Sequence, residues 1–300
     1  MQDIKKIDTI KEYNDYFGVK TLHPHITVID GRNAKPLHFC RKLLNIYSII
    51  VKGIDCGTMH YGRSIYDYHR GTMLFIAPGQ IMGSDDDGYE HQPEGMVLAF
   101  HPELLRGTYL ASLIREYSYF SYNANEALHL SEQEHRIVED CMRSVAEELY
   151  NPFDRHSHAL IIDTIKLLLD RCIRFYDRQF ISRHSMNGDL LTKFETLLNE
   201  YFHSPTLKEH GMPSVQWCAQ QLCLSPNYFS DLMRKETGLS AQKHIHQHSL
   251  EVAKEFIADM SLTIAQISDK IGFDYPQHFI RWFRNLEGCT PLEYRNQLLN

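Results

Sequence analysis

Histidine is the residue type in this chain with the greatest potential for metal chemistry. A metal site built on neighbouring β-strands would need an H-x-H pair with a following glutamate and a later histidine. The H-x-H pairs at 23–25 and, in a predicted helix, at 244–248 lie in other contexts. We therefore expect surface or core histidines and no metal, although five others could gather in the β-rich half: His38, His60, His69, His91 and His101.

Three other groups of residues with chemical potential have simpler interpretations. The acidic run 85–87 lacks the regularly spaced ligand loop that calcium needs, so a solvated turn is expected. Glycines 79 and 83 match no phosphate-binding spacing. An odd number of cysteines without a C-x-x-C pair predicts free thiols and neither disulfides nor a zinc site. No enzyme activity and no cofactor are predicted; the seven cysteines are Cys40, Cys56, Cys141, Cys172, Cys218, Cys223 and Cys289.

The elements that carry these residues form two regions. The chain of 300 residues exceeds the usual span of one core, so two domains are expected. Short β-rich stretches between 36 and 100 predict a small sandwich or barrel. A capping box at Ser131 and Glu134 begins a helical region, and a polar segment at 182–188 predicts a linker. The prediction is an α+β chain with domains 1–180 and 181–300.

The distribution of apolar residues bears on the cellular location of the protein. No run of about 18 apolar residues is present, so no membrane span is predicted. The first twenty residues mix acids, bases and aromatics and lack the apolar core of a secretion signal. We expect a cytoplasmic protein.

The second region contains an internal repeat. Between 225 and 241 an offset of 50 aligns like residues, whereas just upstream the better offset is 49, so one copy has a turn one residue longer. The aligned pairs are Pro226 with Pro276, Phe229 with Phe279, Met233 with Phe283, Arg234 with Arg284, Gly238 with Gly288, Val215 with Ile264, Cys218 with Ile267 and Ala219 with Ser268.

Each copy of the repeat predicts two helices joined by a tight turn. A small residue on the inner face of the first helix, Ala219 or Ser268, would allow close helix crossing. Serine and threonine precede predicted helix starts, and Gly238 and Gly288 follow predicted helix ends. Between the copies a long helix with an apolar stripe would hold them at a fixed separation.

This region resembles the AraC family of bacterial transcription regulators. The resemblance lies in SPNYFSDLMRKETG (225–238) and IGFDYPQHFIRWFRNLEGCTPLEYR (271–295). It covers roughly the last 100 residues, and a signature of this length is far more specific than a short motif. The first region is similar to the cupin-like sensing domains of the family in outline, chiefly through TMLFIAPGQ (72–80).

The resemblance implies that the second helix of each copy enters a major groove of DNA. Gln277 and Arg281 are then the expected base readers, and Arg284 the phosphate anchor. On the first recognition helix the expected DNA-contacting residues are Asn227, Ser230 and Arg234.

Two departures from the family pattern bear on this assignment. Asp231 stands where arginine or another polar reader is common, and Ser268 replaces the usual alanine. Residues 191–300 also hold 10 basic against 12 acidic residues, so phosphate contacts must come from local placement of arginine and lysine. We expect the second copy to dominate base specificity.

The overall expectation is a ligand-responsive activator that binds double-stranded promoter DNA as a homodimer. Its partners would include RNA polymerase and an unidentified small-molecule effector, and the apolar helix at 158–176 could support either dimerisation or its own domain. Two alternatives stay open. One is a cupin-type metal-dependent enzyme with a helical accessory domain, and the other is a helix-turn-helix module that binds protein.

Overall fold

The computed structural model describes residues 4–52, 58–61, 64–67, 71–83, 85–123, 126–182, 184–202, 204, 207 and 210–298. The chain divides into two compact units, 1–179 and 180–300. Sheets and helices mix in the first unit, and the described elements of the second are helical. The chain is therefore of the α+β class.

Unit 1 contains twelve described strands, which form four sheets. One sheet has five strands in the order β12-β8-β5-β11-β2, another has three in the order β1-β4-β9, and two are the pairs β10-β3 and β6-β7. The strands are β1 Lys5–Ile7, β2 Ile26–Asp30, β3 Leu37–His38, β4 Lys42–Leu44, β5 Tyr47–Val51, β6 Thr58–Tyr61, β7 Ser64–Asp67, β8 Thr72–Ile76, β9 Gln80–Met82, β10 Glu90–His91, β11 Met96–Phe100 and β12 Leu128–His129.

The five-stranded sheet supplies much of the core of unit 1. All its pairings are antiparallel, and every residue of β8 is buried. The apolar strands β5, β8 and β11 lie within the β-rich stretches that the sequence predicted between 36 and 100. Among the described strands the sheets do not close into a barrel, so only the β-rich character of the prediction is established.

Helices complete unit 1. The capping box predicted for the third helix is present, because Ser131 Oγ accepts from the Glu134 amide and the Glu134 carboxylate accepts from the Ser131 amide. The segment 182–188, predicted as a linker at the domain boundary, lies beside the division of the two units at 179/180, and its described residues belong to helices α4 and α5. The helices are α1 Ile10–Phe17, α2 Leu110–Leu113, α3 Glu132–Tyr150 and α4 Ser157–Ser182.

Unit 2 is built from helices α5 to α11. No helix in the described part of the chain is long and apolar enough to cross a membrane. The helices are α5 His184–Phe202, α6 Val215–Gln221, α7 Pro226–Thr237, α8 Ala241–Ala258, α9 Ile264–Lys270, α10 Pro276–Glu287 and α11 Pro291–Leu298.

The repeated aromatic residues form the centre of the unit 2 core. Phe229, Phe279 and Phe283 are fully buried, and Phe194 of α5 packs edge-on against Phe229. The predicted inner stripe of α8 is buried except for Phe256, which is half-buried against the same core. The aligned phenylalanines of the repeat therefore serve core packing.

Polar contacts attach α8 to the helices of the second repeat. The Lys254 ammonium lies 2.8 Å from the Glu287 carboxylate at the end of α10. Arg295 of α11 donates to the carbonyls of Ile257 and Leu262, each at 2.8 Å, where α8 ends. A cation at a helix C-terminus also interacts favourably with the helix dipole, so α11 helps to fix the end of the connecting helix.

Candidate nucleic-acid interface

Side-chain caps set the start of the helices that carry the interface. Ser214 and Ser225 accept from amides three residues on, and Thr263 forms a capping box with Gln266. Such caps satisfy amide groups that have no partner inside the helix. The recognition helix α10 differs, because Tyr275 at its N-cap makes no side-chain cap bond.

The turns between paired helices differ by one residue, as the two offsets predicted. Residues 222–225 join α6 to α7, and residues 271–275 join α9 to α10. In the second turn Gly272 has a φ of +83°, and a Cβ there would lie 2.6 Å from the Gly211 Cα. Glycine is therefore required at this position by both conformation and space.

Small residues bring the paired helices together in each repeat. Ala219 on α6 and Ser268 on α9 are both fully buried, as predicted for the inner faces of these helices. The Ser268 hydroxyl has no hydrogen-bond partner in the described part of the chain. A buried hydroxyl without a partner destabilises the folded state relative to alanine.

We expect Ser268→Ala to raise the free energy of unfolding of unit 2 by about 1 kcal/mol, because it removes an unsatisfied polar group without changing the helix packing. Denaturation followed by tryptophan fluorescence measures this, since both tryptophans, Trp217 and Trp282, lie in unit 2. Ser249→Ala is the matched control. Its hydroxyl is equally buried but donates to the Ile245 carbonyl at 2.6 Å, so this variant should not be stabilised.

The second recognition helix presents the three polar residues assigned to it from the sequence on one side. Gln277, Arg281 and Arg284 are exposed on α10 at spacings of four and three residues, which places them on one helix face. Neither arginine forms an ion pair with another described residue, so both guanidinium groups are available to a ligand. Ile280, on the same helix, is half-buried against the core.

The first recognition helix presents a less basic surface. Asn227 and Arg234 are exposed on α7, whereas Ser230 is half-buried. A guanidinium nitrogen of Arg234 lies 3.8 Å from the Asp231 carboxylate. Exposed pairs of this kind stabilise by only about 0–1 kcal/mol, so Arg234 can still be redirected toward a phosphate, but Asp231 offsets its charge.

Two exposed aromatic side chains at the start of α10 were not predicted. Tyr275 is 57% exposed, and its ring lies 5.5 Å from the exposed His278 ring. In the first repeat, the residue that aligns with His278 is Tyr228, and its side chain is buried. The repeat alignment alone therefore concealed the difference, and only the polarity of histidine at 278 signalled an exposed position.

The alternative sites considered from the sequence gather no metal ligands among the residues that the structure describes. In the described part of the chain no group of three or more histidine, cysteine or acidic side chains is placed to hold a metal ion. His60 and His69 lie among residues whose side chains the structure does not describe. Each member of the acidic run 85–87 contacts a basic or histidine side chain: Arg41 for Asp85, His38 for Asp86 and His91 for Asp87.

Trp282 belongs to the core margin. It is half-buried, its indole nitrogen is enclosed, and its ring packs 5.4 Å from Phe273 and 6.1 Å from Phe279. Stacking on a base would require this ring to leave its aromatic neighbours. We therefore assign Trp282 to packing.

These features define unit 2 as a double helix-turn-helix domain. Two helix pairs, α6–α7 and α9–α10, are joined by the continuous helix α8, and each pair carries exposed polar residues on its second helix. Residues 218–297 match the family model described as a helix-turn-helix domain. The signature at 271–295, which carries the resemblance to the AraC family, lies within these matched residues.

Among curated proteins, the arabinose operon regulatory protein of Escherichia coli K12 is 32% identical over 119 residues, 35% of this chain and 40% of that protein. The transcriptional regulator YtdP of Bacillus subtilis 168, itself uncharacterized, is 35% identical over 79 residues, 26% of this chain and 10% of that protein. The match thus spans less than half of each relative. Both names describe regulators, in agreement with the expectation of a non-enzyme.

Among solved structures, the C-terminal domain of the two-component response regulator yesN from Fusobacterium nucleatum is 24% identical. The similarity covers 36% of this chain and 98% of that domain, with a TM-score of 0.31.

Proposed function

We propose that this protein is a sequence-specific DNA-binding transcription regulator whose single chain reads two adjacent major grooves. The observation that carries the proposal is that one 18-residue helix, α8, connects the two helix-turn-helix pairs. Such a helix is about 27 Å long. That length is comparable to the roughly 34 Å that separates successive major grooves on one DNA face.

Individual roles follow from side-chain chemistry. Gln277 pairs with adenine through its amide, and Arg281 reaches the acceptor edge of guanine. Arg284, one turn further along α10, contacts phosphate. Asn227 supplies the base contact from α7, with Ser230 and Arg234 directed to the backbone. Because Asp231 offsets positive charge on α7, α10 dominates specificity.

Selection of bound fragments from a genomic DNA library tests the proposal. We expect the full-length protein at moderate salt to enrich a shared sequence motif, because salt suppresses non-specific phosphate binding more than base readout. Arg136→Ala, which removes an exposed arginine from α3, should enrich the same motif. Absence of any enriched motif, with or without an added effector, would contradict sequence reading and favour a helix-turn-helix module that binds protein.

The spacing of the two half-sites provides a second prediction. Inserting about half a helical turn, roughly 5 base pairs, between the half-sites should lower affinity at least about tenfold, because α8 cannot follow the rotation of one groove around the DNA. Gel-shift titration measures the loss. Insertion of a full turn is the informative comparison, since equal affinity for all spacings would mean that only one recognition helix reads the DNA.

Unit 1 is proposed as a cupin-like sensing and dimerisation domain, residues 1–180, with a small-molecule effector. Apolar side chains at 160, 167, 173 and 181 are exposed along α4, and their burial in a homodimer would remove this surface from water. Sedimentation of the full-length protein gives the oligomeric state. RNA polymerase is the proposed partner of an activator bound beside a promoter, and the bacterial cytoplasm is the proposed location.

A further inference from the structure

Three side chains that could react with one another meet beside α1 in unit 1. The Cys40 sulfur lies 3.9 Å from the Lys42 side-chain nitrogen and 3.8 Å from the Tyr16 hydroxyl oxygen. The Lys42 nitrogen is 3.2 Å from the same oxygen. A thiol, an amine and a phenol therefore share one small volume, and none of them belongs to the helix-turn-helix unit.

The Tyr16 hydroxyl orients the other two groups. It donates its proton to the His38 carbonyl at 3.0 Å, so toward Cys40 and Lys42 it can only accept. The thiol and the ammonium both donate to this oxygen. A single phenol oxygen thus holds the sulfur and the nitrogen on the same side of α1.

Lys42 is a buried cation whose contacts are all with uncharged groups. It is 7% exposed, and no carboxylate of the described residues lies within ion-pair distance of it. Burial lowers the pKa of Lys42, because water no longer solvates the charged form. The neutral amine is the nucleophilic form of lysine, and it is therefore reached more easily here than at the protein surface.

Cys40 is accessible to solvent, in contrast to three other cysteines. Cys141, Cys172 and Cys218 are buried, and burial raises the pKa of each thiol, which keeps it protonated and unreactive. Cys40 is half-buried, so part of it remains in contact with solvent. A molecule as small as hydrogen peroxide can approach it.

The backbone fixes Cys40 relative to Lys42. Gly83, at a φ of +117°, lies against Cys40, and a Cβ at position 83 would overlap the Cys40 carbonyl oxygen. Only glycine permits this approach. The same carbonyl accepts from the Lys42 ammonium at 3.1 Å. The sulfur and nitrogen are therefore held at a separation close to the roughly 3–3.5 Å of reacting atoms.

We propose that Cys40 and Lys42 form an oxidation-sensitive pair that closes into a covalent sulfur–nitrogen bond on exposure to peroxide. In the first step the Cys40 sulfur attacks hydrogen peroxide, the O–O bond breaks, and the thiol becomes a sulfenic acid while water leaves. In the second step the Lys42 nitrogen attacks this sulfur, and the S–O bond breaks. The hydroxyl leaves as water with one amine proton.

The reaction balances without a further reagent. The sulfur is oxidised by two electrons in the first step, and the peroxide is reduced. Thiol, amine and one hydrogen peroxide give the sulfenamide and two water molecules. Closing the bond removes the buried charge of Lys42 and ties the residues before β4 into a ring. The modification site lies in unit 1, and its existence does not depend on the proposed DNA binding.

Mass spectrometry of the full-length protein treated with an equimolar amount of hydrogen peroxide tests the proposal. Chymotrypsin leaves Cys40 and Lys42 in one peptide, in which we expect the loss of two hydrogen atoms, resistance to trypsin at Lys42, and reversal by dithiothreitol. Cys289, also half-buried, serves as the internal reference for ordinary thiol oxidation. Recovery of Cys40 as a free thiol, or with added oxygen and no bond to nitrogen, would overturn the proposal.

Lys42→Arg and Lys5→Arg form a matched pair for the same experiment. Arginine keeps the positive charge but stays protonated, so it cannot attack sulfur. Lys5 is exposed, and its ammonium lies 4.9 Å from the centre of the Tyr16 ring. We expect Lys42→Arg to form no link and to accumulate the sulfinic acid of Cys40, whereas Lys5→Arg links as the wild type does. A link from Cys40 to Lys5 would contradict the assignment.

Tyr16→Phe tests the positioning role of the phenol oxygen. Dimedone traps sulfenic acid, so the ratio of link to dimedone adduct measures the second step alone. We expect this ratio to fall about 10-fold in Tyr16→Phe, because the sulfur and nitrogen lose the acceptor that orients both. An unchanged ratio would overturn the role assigned to Tyr16. The wild-type experiment stands whether or not the variants fold, and because it involves no DNA, its failure leaves the proposed function intact.

Discussion

Phe279→Ala is expected to lower the free energy of unfolding of unit 2 by about 3–5 kcal/mol. Phe279 is fully buried on α10 and contacts the rings of Phe273, Trp282 and Phe283. Truncation removes the transfer free energy of the ring and leaves a cavity among neighbours that cannot all close around it. A domain of this size is stable by only about 5–15 kcal/mol, so much of the margin is lost.

Guanidinium denaturation followed by tryptophan fluorescence measures this change selectively, since unit 1 contains no tryptophan. Leu286→Ala is the matched control on the same helix, because Leu286 is 42% exposed and its truncation removes much less buried surface than that of the fully buried Phe279. We expect this control to unfold within about 0.5 kcal/mol of the wild type. Similar losses for both variants would mean that α10 does not pack as described.

Unit 2 was predictable because its local and long-range signals agree. Ser225 before Pro226 marks a helix start, and Gly238, with a φ of +76°, marks its end. The repeat then shows the same signals again about 50 residues later. Helix caps act within a few residues of the chain, which is why the sequence alone reveals them.

Other features depend on contacts that no local pattern encodes. The ion pair between Arg234 and Asp231 forms only in particular side-chain rotamers, which the sequence does not specify. His278 is exposed, whereas its counterpart Tyr228 is buried, and this difference depends on what packs beside each helix. A cavity in unit 1 is lined by residues from positions 13 to 97, which no local pattern brings together.

The described residues of 182–188 show that a polar segment can be helical. Polar residues with a glycine predicted a linker there, and the described residues lie at the end of α4 and the start of α5. Asparagine and serine disfavour a helix only weakly, and even glycine costs only about 1 kcal/mol in a helix interior. The apolar stretches on either side therefore determine the conformation of the segment between them.

The acidic balance of residues 191–300 makes the local arrangement of charge decisive for DNA binding. On α7, the Asp231 carboxylate lies beside the Arg234 guanidinium, so the negative charge offsets the positive potential that Arg234 would otherwise present to DNA. On α10, Arg281 and Arg284 have no ion-pair partner among the described residues, and the adjoining Gln277 is neutral. Positive potential is thus concentrated on the second recognition helix, which should contribute more of the binding free energy than the first.

Arg281→Ala is accordingly expected to cost about 1–3 kcal/mol on the selected DNA site and to relax base preference at one position. Arg284→Ala should weaken binding to specific and random DNA alike and reduce the salt dependence by about one phosphate contact. The two residues lie one turn apart on the same helix face, and each substitution removes one positive charge. Only the group that each contacts on DNA distinguishes them.

Fluorescence anisotropy titrations on specific and random duplexes at several salt concentrations measure both effects. Arg136→Ala controls for the loss of one exposed positive charge far from the recognition helices in sequence, and it should change neither affinity nor salt slope. Identical profiles for Arg281→Ala and Arg284→Ala would contradict the division into base reader and phosphate anchor. If only Asn227→Ala altered base preference, α7 and not α10 would carry the specificity, and the argument from unpaired arginines would be wrong.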